Sequence, residues 1–253
     1  MKTLAILALL LGTQDDAEAK KKRLGILMRQ MQQIQGEARK LMDDLTGGDP
    51  TKLDAIMREV VQKYAPELAG EIGGASIAAN ERNASFTLKT FATAQADFRS
   101  NDRDANRLND FWVGDVSGLY RIDAGEAIKL IEESAAAADA RPCVPLDKAG
   151  SFPAGKEAAK FVALGKPAPK AGYWFAAVPS YEDETGATVK YDQGNGRNAS
   201  MFGFCTYLAE HPKTGKFTYL ISEYYTVWKK DTGGKPVELM PQDLRKAGWT
   251  KVD

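Results

Sequence analysis

The stretch from Ala75 to Asp115 constrains this chain most, because a helical apolar spacing there runs straight into an acidic loop. Ile77, Ala84, Leu88, Phe91 and Phe98 are spaced to share one helical face. Ala78, Ala79, Ala92, Ala94 and Ala96 are small enough for that helix to approach a sheet closely. Ser76 is placed to cap its first turn. A helix with one apolar face needs a second layer to cover it, and that layer has to come from elsewhere in the chain.

The C-terminal half supplies the layer. Tyr173 to Val178, Met201 to Leu208, Phe217 to Ile221 and Thr226 to Trp228 read as strands, rich in aromatic and β-branched residues. Glu182 to Gly186 and Pro212 to Gly215 carry the turn residues between them. Gly125 to Ala138 predicts a helix. Pro142, Pro145, Pro153, Pro167 and Pro169 predict a long irregular connection over 141–171. Pro241 to Ala247 predicts a short final helix, with Trp249 packing back. The expected fold class is α+β, a long helix packed on an antiparallel β-sheet.

The N-terminal third has a different grammar. Lys2, the apolar run Leu4 to Leu11 and Ala17-Glu18-Ala19 match a signal peptide over 1–19, which implies export to the periplasm or beyond. An ordinary N-terminal helix is the other reading, but the polar TQDDAEA stretch offers it no packing face. Residues 20–74 predict a helical hairpin. In its first helix Leu24, Leu27, Met31, Ile34, Ala38, Leu41 and Leu45 alternate spacings of three and four, a heptad-like stripe. Thr46 to Pro50 stops one helix and starts the next, which carries Leu53, Met57, Val60 and Tyr64. Gly70, Gly73 and Gly74 mark the boundary to the domain 75–253. The run Lys20 to Arg23 reads as a solvated end or as a contact to an anionic surface.

Charge excludes some partners. Lys and Arg number 34 and Asp and Glu 34, so no global basic field draws nucleic acid. No run of roughly 20 apolar residues exists to span a membrane. Cys143 and Cys205 are the two cysteines. In an exported chain they make one disulfide, or two buried free thiols.

Asn80-Glu81, Ala84 and Leu88 to Gln95 resemble the helix of the globular domains of bacterial type IV pilins and pseudopilins. Many exported bacterial proteins of unknown function share that phrase. Gly172-Tyr173-Trp174-Phe175, Phe202-Gly203-Phe204 with Ala209 to Pro212 and Thr214-Gly215, and Trp228 to Asp231 resemble strands of one such family. The resemblance covers roughly residues 76–120 and 172–232. It implies a pilin-like α+β unit. The prepilin Gly cleavage site and long membrane-inserting helix have no counterpart here, so filament assembly is not implied.

One local pattern carries chemistry. Asp102, Asp104, Asn106, Leu108 (through its carbonyl) and Asp110 alternate as do the first five ligand positions of an EF-hand-type calcium loop. Arg107 stands where Gly makes the sharp turn, Val113 stands where a bidentate Glu closes the sphere, and Asp115 offers a further carboxylate. The same residues also suit an Asx-turn loop paired with Arg103 or Arg107. Catalytic signatures are sparse: His211 is the only histidine, and no nucleophile elbow, zinc motif or phosphate loop occurs. Tyr173, Trp174, Tyr181, Tyr191, Tyr219, Tyr224, Tyr225 and Trp228 could stack sugars or fill a core. The expectation is a structural or interaction module of the cell envelope, steadied by calcium, with an unknown envelope protein or polymer as partner. The alternative is a carboxylate-dependent hydrolase or glycan-binding module acting on envelope polymers.

Overall fold

In the computed structural model, residues 17–47, 56, 59–60, 63, 69–125, 128–151 and 159–252 are described. The chain divides into two units, Met1–Glu71 and Ile72–Asp253. In the first, α1 spans Ala17–Thr46. Residues 1–16 of the expected signal segment lie outside the described residues. So does the expected second hairpin helix, apart from Ile56, Glu59, Val60 and Lys63. Among the described residues, no helix is long and apolar enough to cross a membrane.

The second unit is organised by α2, Ala69–Ser100. It begins before Ser76 and takes Gly70, Gly73 and Gly74 into its first turns, and the division between the two units falls among these glycines, inside the helix. Ala84, Leu88, Phe91, Gln95 and Phe98, at alternating spacings of four and three, are buried. Phe91 meets Phe175 edge-on at 5.2 Å between centroids and Phe204 at 5.7 Å. Those rings belong to β5 (Tyr173–Ala177) and β9 (Gly203–Leu208), which pair antiparallel. With β10 (Thr218–Ser222), β11 (Trp228–Lys230) and β13 (Thr250–Lys251) they form a five-stranded sheet ordered β13-β11-β10-β9-β5. Every pairing in it is antiparallel. The long helix therefore lies on an antiparallel sheet, and the α+β class holds.

Three small sheets surround this core. β1 (Phe111–Trp112) pairs with β8 (Arg197–Asn198), setting Phe111 opposite Asn198 and Trp112 opposite Arg197. β6 (Ser180–Glu182) runs between β7 (Thr188–Lys190) and a parallel β12 (Leu239–Met240). β4 (Lys160–Phe161) runs between β2 (Ile122–Asp123) and β3 (Gly150–Ser151).

Two expected helices are shorter than their patterns. Among the described residues of 125–138 only α4, Glu133–Ala137, is helical, and α3 is the single turn Gly118–Arg121. Leu130 N–H bonds the Leu119 carbonyl and the Ile131 side chain is buried, which ties the chain before α4 to α3 and the core. Over 241–247 the chain makes one turn, closed by Ala247 N–H on the Asp243 carbonyl at 3.0 Å. Gly248 then takes φ of +83°, which turns the chain out of the helix and brings Trp249 into the core.

In its described residues, 141–151 and 159–171, the connection is irregular apart from β3 and β4, and it is anchored. Arg121 is fully buried, and its guanidinium donates to the carbonyls of Val162 (2.8 Å), Val144 (2.6 Å), Pro145 (3.1 Å) and Lys148 (2.7 Å). A planar fork with five donors suits this task, because carbonyls arriving from several directions can each be met by a different N–H.

Candidate functional site

The acidic loop leaves α2 at Ser100 and enters β1 at Phe111, and its shape follows from its own side chains. Asp102 Oδ1 accepts from Asn106 N–H at 2.9 Å and Oδ2 accepts from Arg107 N–H at 2.8 Å. Asn106 Oδ1 accepts from Leu108 N–H at 2.5 Å. Asp102, Ala105 and Arg107 all take left-handed backbone conformations, with φ of 47°, 55° and 67°. Such a conformation costs a residue bearing a Cβ about 1–2 kcal/mol, so the loop holds a sharp turn that its sequence alone disfavours. Arg107, where a glycine would be expected, adopts the glycine-like geometry.

Those turns bring three carboxylates together. Asn106 Nδ2 donates to Asp104 Oδ2 at 3.1 Å and to both oxygens of Asp110, at 3.3 and 3.1 Å. Asp104 is 1% exposed, and from β8 Arg197 Nε reaches its Oδ2 at 2.9 Å. Asp104 Oδ1 is buried and has no hydrogen-bond partner among the described residues. Burial pushes the Asp104 carboxyl up to about 6; Asp110 and Asp102 push the same way, and Arg197 pulls against them. Asp110 is raised too, first by burial, with Asn106 and Arg197 opposing. Like charges in a partly desolvated site produce this pattern.

The ligand expectation is met in part. Asp102, Asp104, Asn106 and Asp110 converge as their spacing implies. Asp115 does not join them. It is fully buried and accepts from Trp112 Nε1 (3.0 Å), Gly118 N–H (2.6 Å), Ser117 Oγ (3.2 Å) and Cys143 N–H (2.7 Å). Val113 is buried and closes no coordination sphere. Arg103 pairs with Asp97 at 2.6 Å, outside the cluster. Among the described residues, no three His, Cys, Asp or Glu side chains form a ready metal-ligand group. The loop therefore relies on an amide, a guanidinium and backbone groups as much as on its acids.

Beside the β1–β8 ribbon lies an open cleft of about 620 Å³, which no sequence motif announced. Trp112, Phe161, Arg141, Cys143, Lys190 and Asp192 are among its lining residues. Asp192 is the one carboxylate in the described lining, and its Oδ1 is spent on Gly194 and Gly196 N–H, at 2.7 and 2.9 Å. Arg141 is held by both oxygens of Glu238. Behind the cleft, Asp139 Oδ2 accepts from Val116 and Ser117 N–H at 3.0 and 2.7 Å, and its Oδ1 accepts from Arg141 N–H at 2.9 Å. Burial, then the neighbouring Asp115, raises the Asp139 carboxyl. These acids organise backbone through the N–H groups that they accept from.

Cys143 and Cys205 are free thiols. Cys205 is buried in β9, whereas Cys143 is exposed at the cleft. Desolvation around its sulfur, then Asp115 and Asp139, raise the Cys143 thiol, the opposite of what a nucleophilic cysteine needs. The sheet aromatics divide: Tyr173, Tyr191 and Tyr219 are core, Trp174, Tyr181 and Trp228 are half-buried, and Tyr224 and Tyr225 are exposed. His211 lies beside Asp231, with 3.4 Å between Nε2 and Oδ1, at the β9–β10 turn. No protein-family model, curated protein or solved structure matches the chain.

Proposed function

We propose that this protein is an exported structural or interaction module of the cell envelope, built on a pilin-like helix-and-sheet unit and steadied by calcium at residues 102–110. The observation that carries the calcium reading is the buried Asp104 carboxylate, whose Oδ1 lacks a partner while Asp102 and Asp110 face it. Asp102 and Asp110 both work against ionisation of Asp104 and Arg197 only partly offsets them, a crowding of negative charge that a cation would relieve. Calcium takes oxygen ligands in a flexible geometry. Asp102, Asp104, Asp110, the Leu108 carbonyl and Asn106 Oδ1, after a half-turn of its amide, would supply them. The ion's chemistry would be structural, drawing the end of α2 toward β1.

Support for the module reading is the helix-on-sheet core, in which Phe91 packs edge-on against Phe175 and Phe204.

Thermal denaturation in chelator, in calcium and in magnesium tests the calcium reading. Calcium should raise the melting temperature by several degrees, and Asp104→Asn and Asp110→Asn should each abolish that increment. An unchanged melting temperature and a flat calorimetric titration overturn it. Export is tested by the N-terminus of the protein recovered from cells, expected at Lys20; recovery in the cytosol with Met1 intact overturns that part.

A further inference from the structure

We infer that α1 pairs with the same helix of a second copy of this chain, in an antiparallel two-stranded coiled coil. Between Lys21 and Leu45 all side chains but that of Met42 are exposed, including the whole heptad-like stripe. Leu24, Leu27, Met31, Ile34, Leu41 and Leu45 are each between 41% and 63% exposed. With Met28 they present on the order of 700 Å² of apolar side chain per helix, so two copies would bury about 1,400 Å², within the range of stable interfaces. An unpartnered helix of this kind is marginal in water, because helical stability comes chiefly from packing of an apolar face.

The heptad register identifies the partner. Leu24, Met31, Ala38 and Leu45 take the a positions, and Leu27, Ile34 and Leu41 the d positions. The g positions are then Arg23, Gln30, Glu37 and Asp44. In an antiparallel pair g faces g, so Arg23 of each helix meets Asp44 of the other and Gln30 meets Glu37, twice each by symmetry. The core matches Leu24 to Leu41, Met31 to Ile34 and Ala38 to Leu27. A parallel pair would instead set Lys20 to Arg23 beside the same basic run, and Asp43 and Asp44 beside the same acids. Charge therefore favours the antiparallel arrangement.

Length argues against the rest of the chain as sole cover. The seam from Leu24 to Leu45 is about 32 Å long at 1.5 Å per residue, whereas the stretch between Pro50 and Pro66 could make a helix of only about 22 Å. Gly25 and Gly36 lie off the seam, and a Cβ at either meets nothing within 4 Å.

The test is sedimentation of the full chain across a concentration series. The expected result is a dimer whose dissociation constant rises at least about 100-fold in Ile34→Asp. Gly25→Ala with Gly36→Ala should tighten the dimer, and keeps the test informative if Ile34→Asp unfolds α1. Arg23→Asp or Asp44→Arg alone should weaken the dimer, and the two together should restore it. A monomer at every concentration overturns the inference, whether residues 51–65 or anionic lipid vesicles cover the seam instead. A dimer indifferent to Ile34→Asp overturns it too, and a charge swap that fails to restore pairing overturns the antiparallel register.

Discussion

Asp104, in the acidic loop, and Arg197, on β8, meet at 2.9 Å in a site where the Asp104 carboxylate is screened from water. Neither residue is near the other in sequence, and the β1–β8 register is what brings them together: Arg197 stands opposite Trp112, just beyond the acidic loop. Removing the guanidinium with Arg197→Met leaves three facing acids without it. Breaking a buried pair in this way typically costs about 3–5 kcal/mol. Urea denaturation should show a loss of that order in chelator, and calcium should recover part of it.

The same carboxylate gives a pH signature. Folded Asp104 holds its proton up to about pH 6, while the unfolded chain releases it near 3.8. Between those values the native state binds more protons, so this group's contribution to stability falls as pH rises, by up to about 1.4 kcal/mol per pH unit. Below pH 3.8 both states are protonated, and above 6 both are ionised, so the slope is confined to that window. Asp104→Asn should flatten the stability–pH curve there relative to the parent in calcium-free buffer. A parallel pair of curves would show that Asp104 does not titrate in this range.

Asp139 should be a strong determinant of stability. It accepts three backbone N–H groups, from Val116, Ser117 and Arg141. Asp139→Ala strands buried donors at about 1–3 kcal/mol each and should unfold the protein at low urea. Asp139→Asn keeps acceptor oxygen and should lose markedly less. The midpoints of the two denaturation curves check the order.

Arg121→Lys keeps a charge and loses the fork. One ammonium cannot reach the carbonyls of Val144, Pro145, Lys148 and Val162 together. Limited proteolysis should cut within 141–171 sooner in this variant, while the helix-and-sheet core stays protected. Equal cutting rates would remove Arg121 from its anchoring role.

At Gly196 the chain takes φ of +74°, and a Cβ would fall 2.5 Å from the Trp112 ring. Gly196→Ala combines a disfavoured backbone with a clash against a buried indole, so a loss of about 1–3 kcal/mol is expected. A shift in Trp112 emission would locate the disturbance at the β1–β8 ribbon, and an unchanged spectrum and midpoint would refute it.

Much of the helix and sheet was legible because apolar periodicity reports the face an element buries. Leu88, Phe91 and Phe98 are where their spacing puts them. Gln95 sits on that face as well, and its polarity hid its part, which is to exchange hydrogen bonds with the Trp112 backbone. The acidic loop was legible as a cluster, since alternating acids that start at a helix end turn inward together. Its internal counter-charge was not, because nothing near Asp104 points to a strand at 197. Asp115 is close to the loop in sequence, but its carboxylate is taken up by the Trp112 indole and the N–H groups of Gly118 and Cys143, partners that its spacing from the other acids does not reveal. Arg121 could not be found at all, since backbone carbonyls leave no mark in the residue types that bear them.

The pairing of Phe91 with Phe175 and Phe204 also sets an order of events in synthesis. Chain growth completes the long helix well before either ring that covers it has been made. Its apolar face is then a translation-time liability, open to chaperones or to neighbouring nascent chains until the second half of the protein arrives.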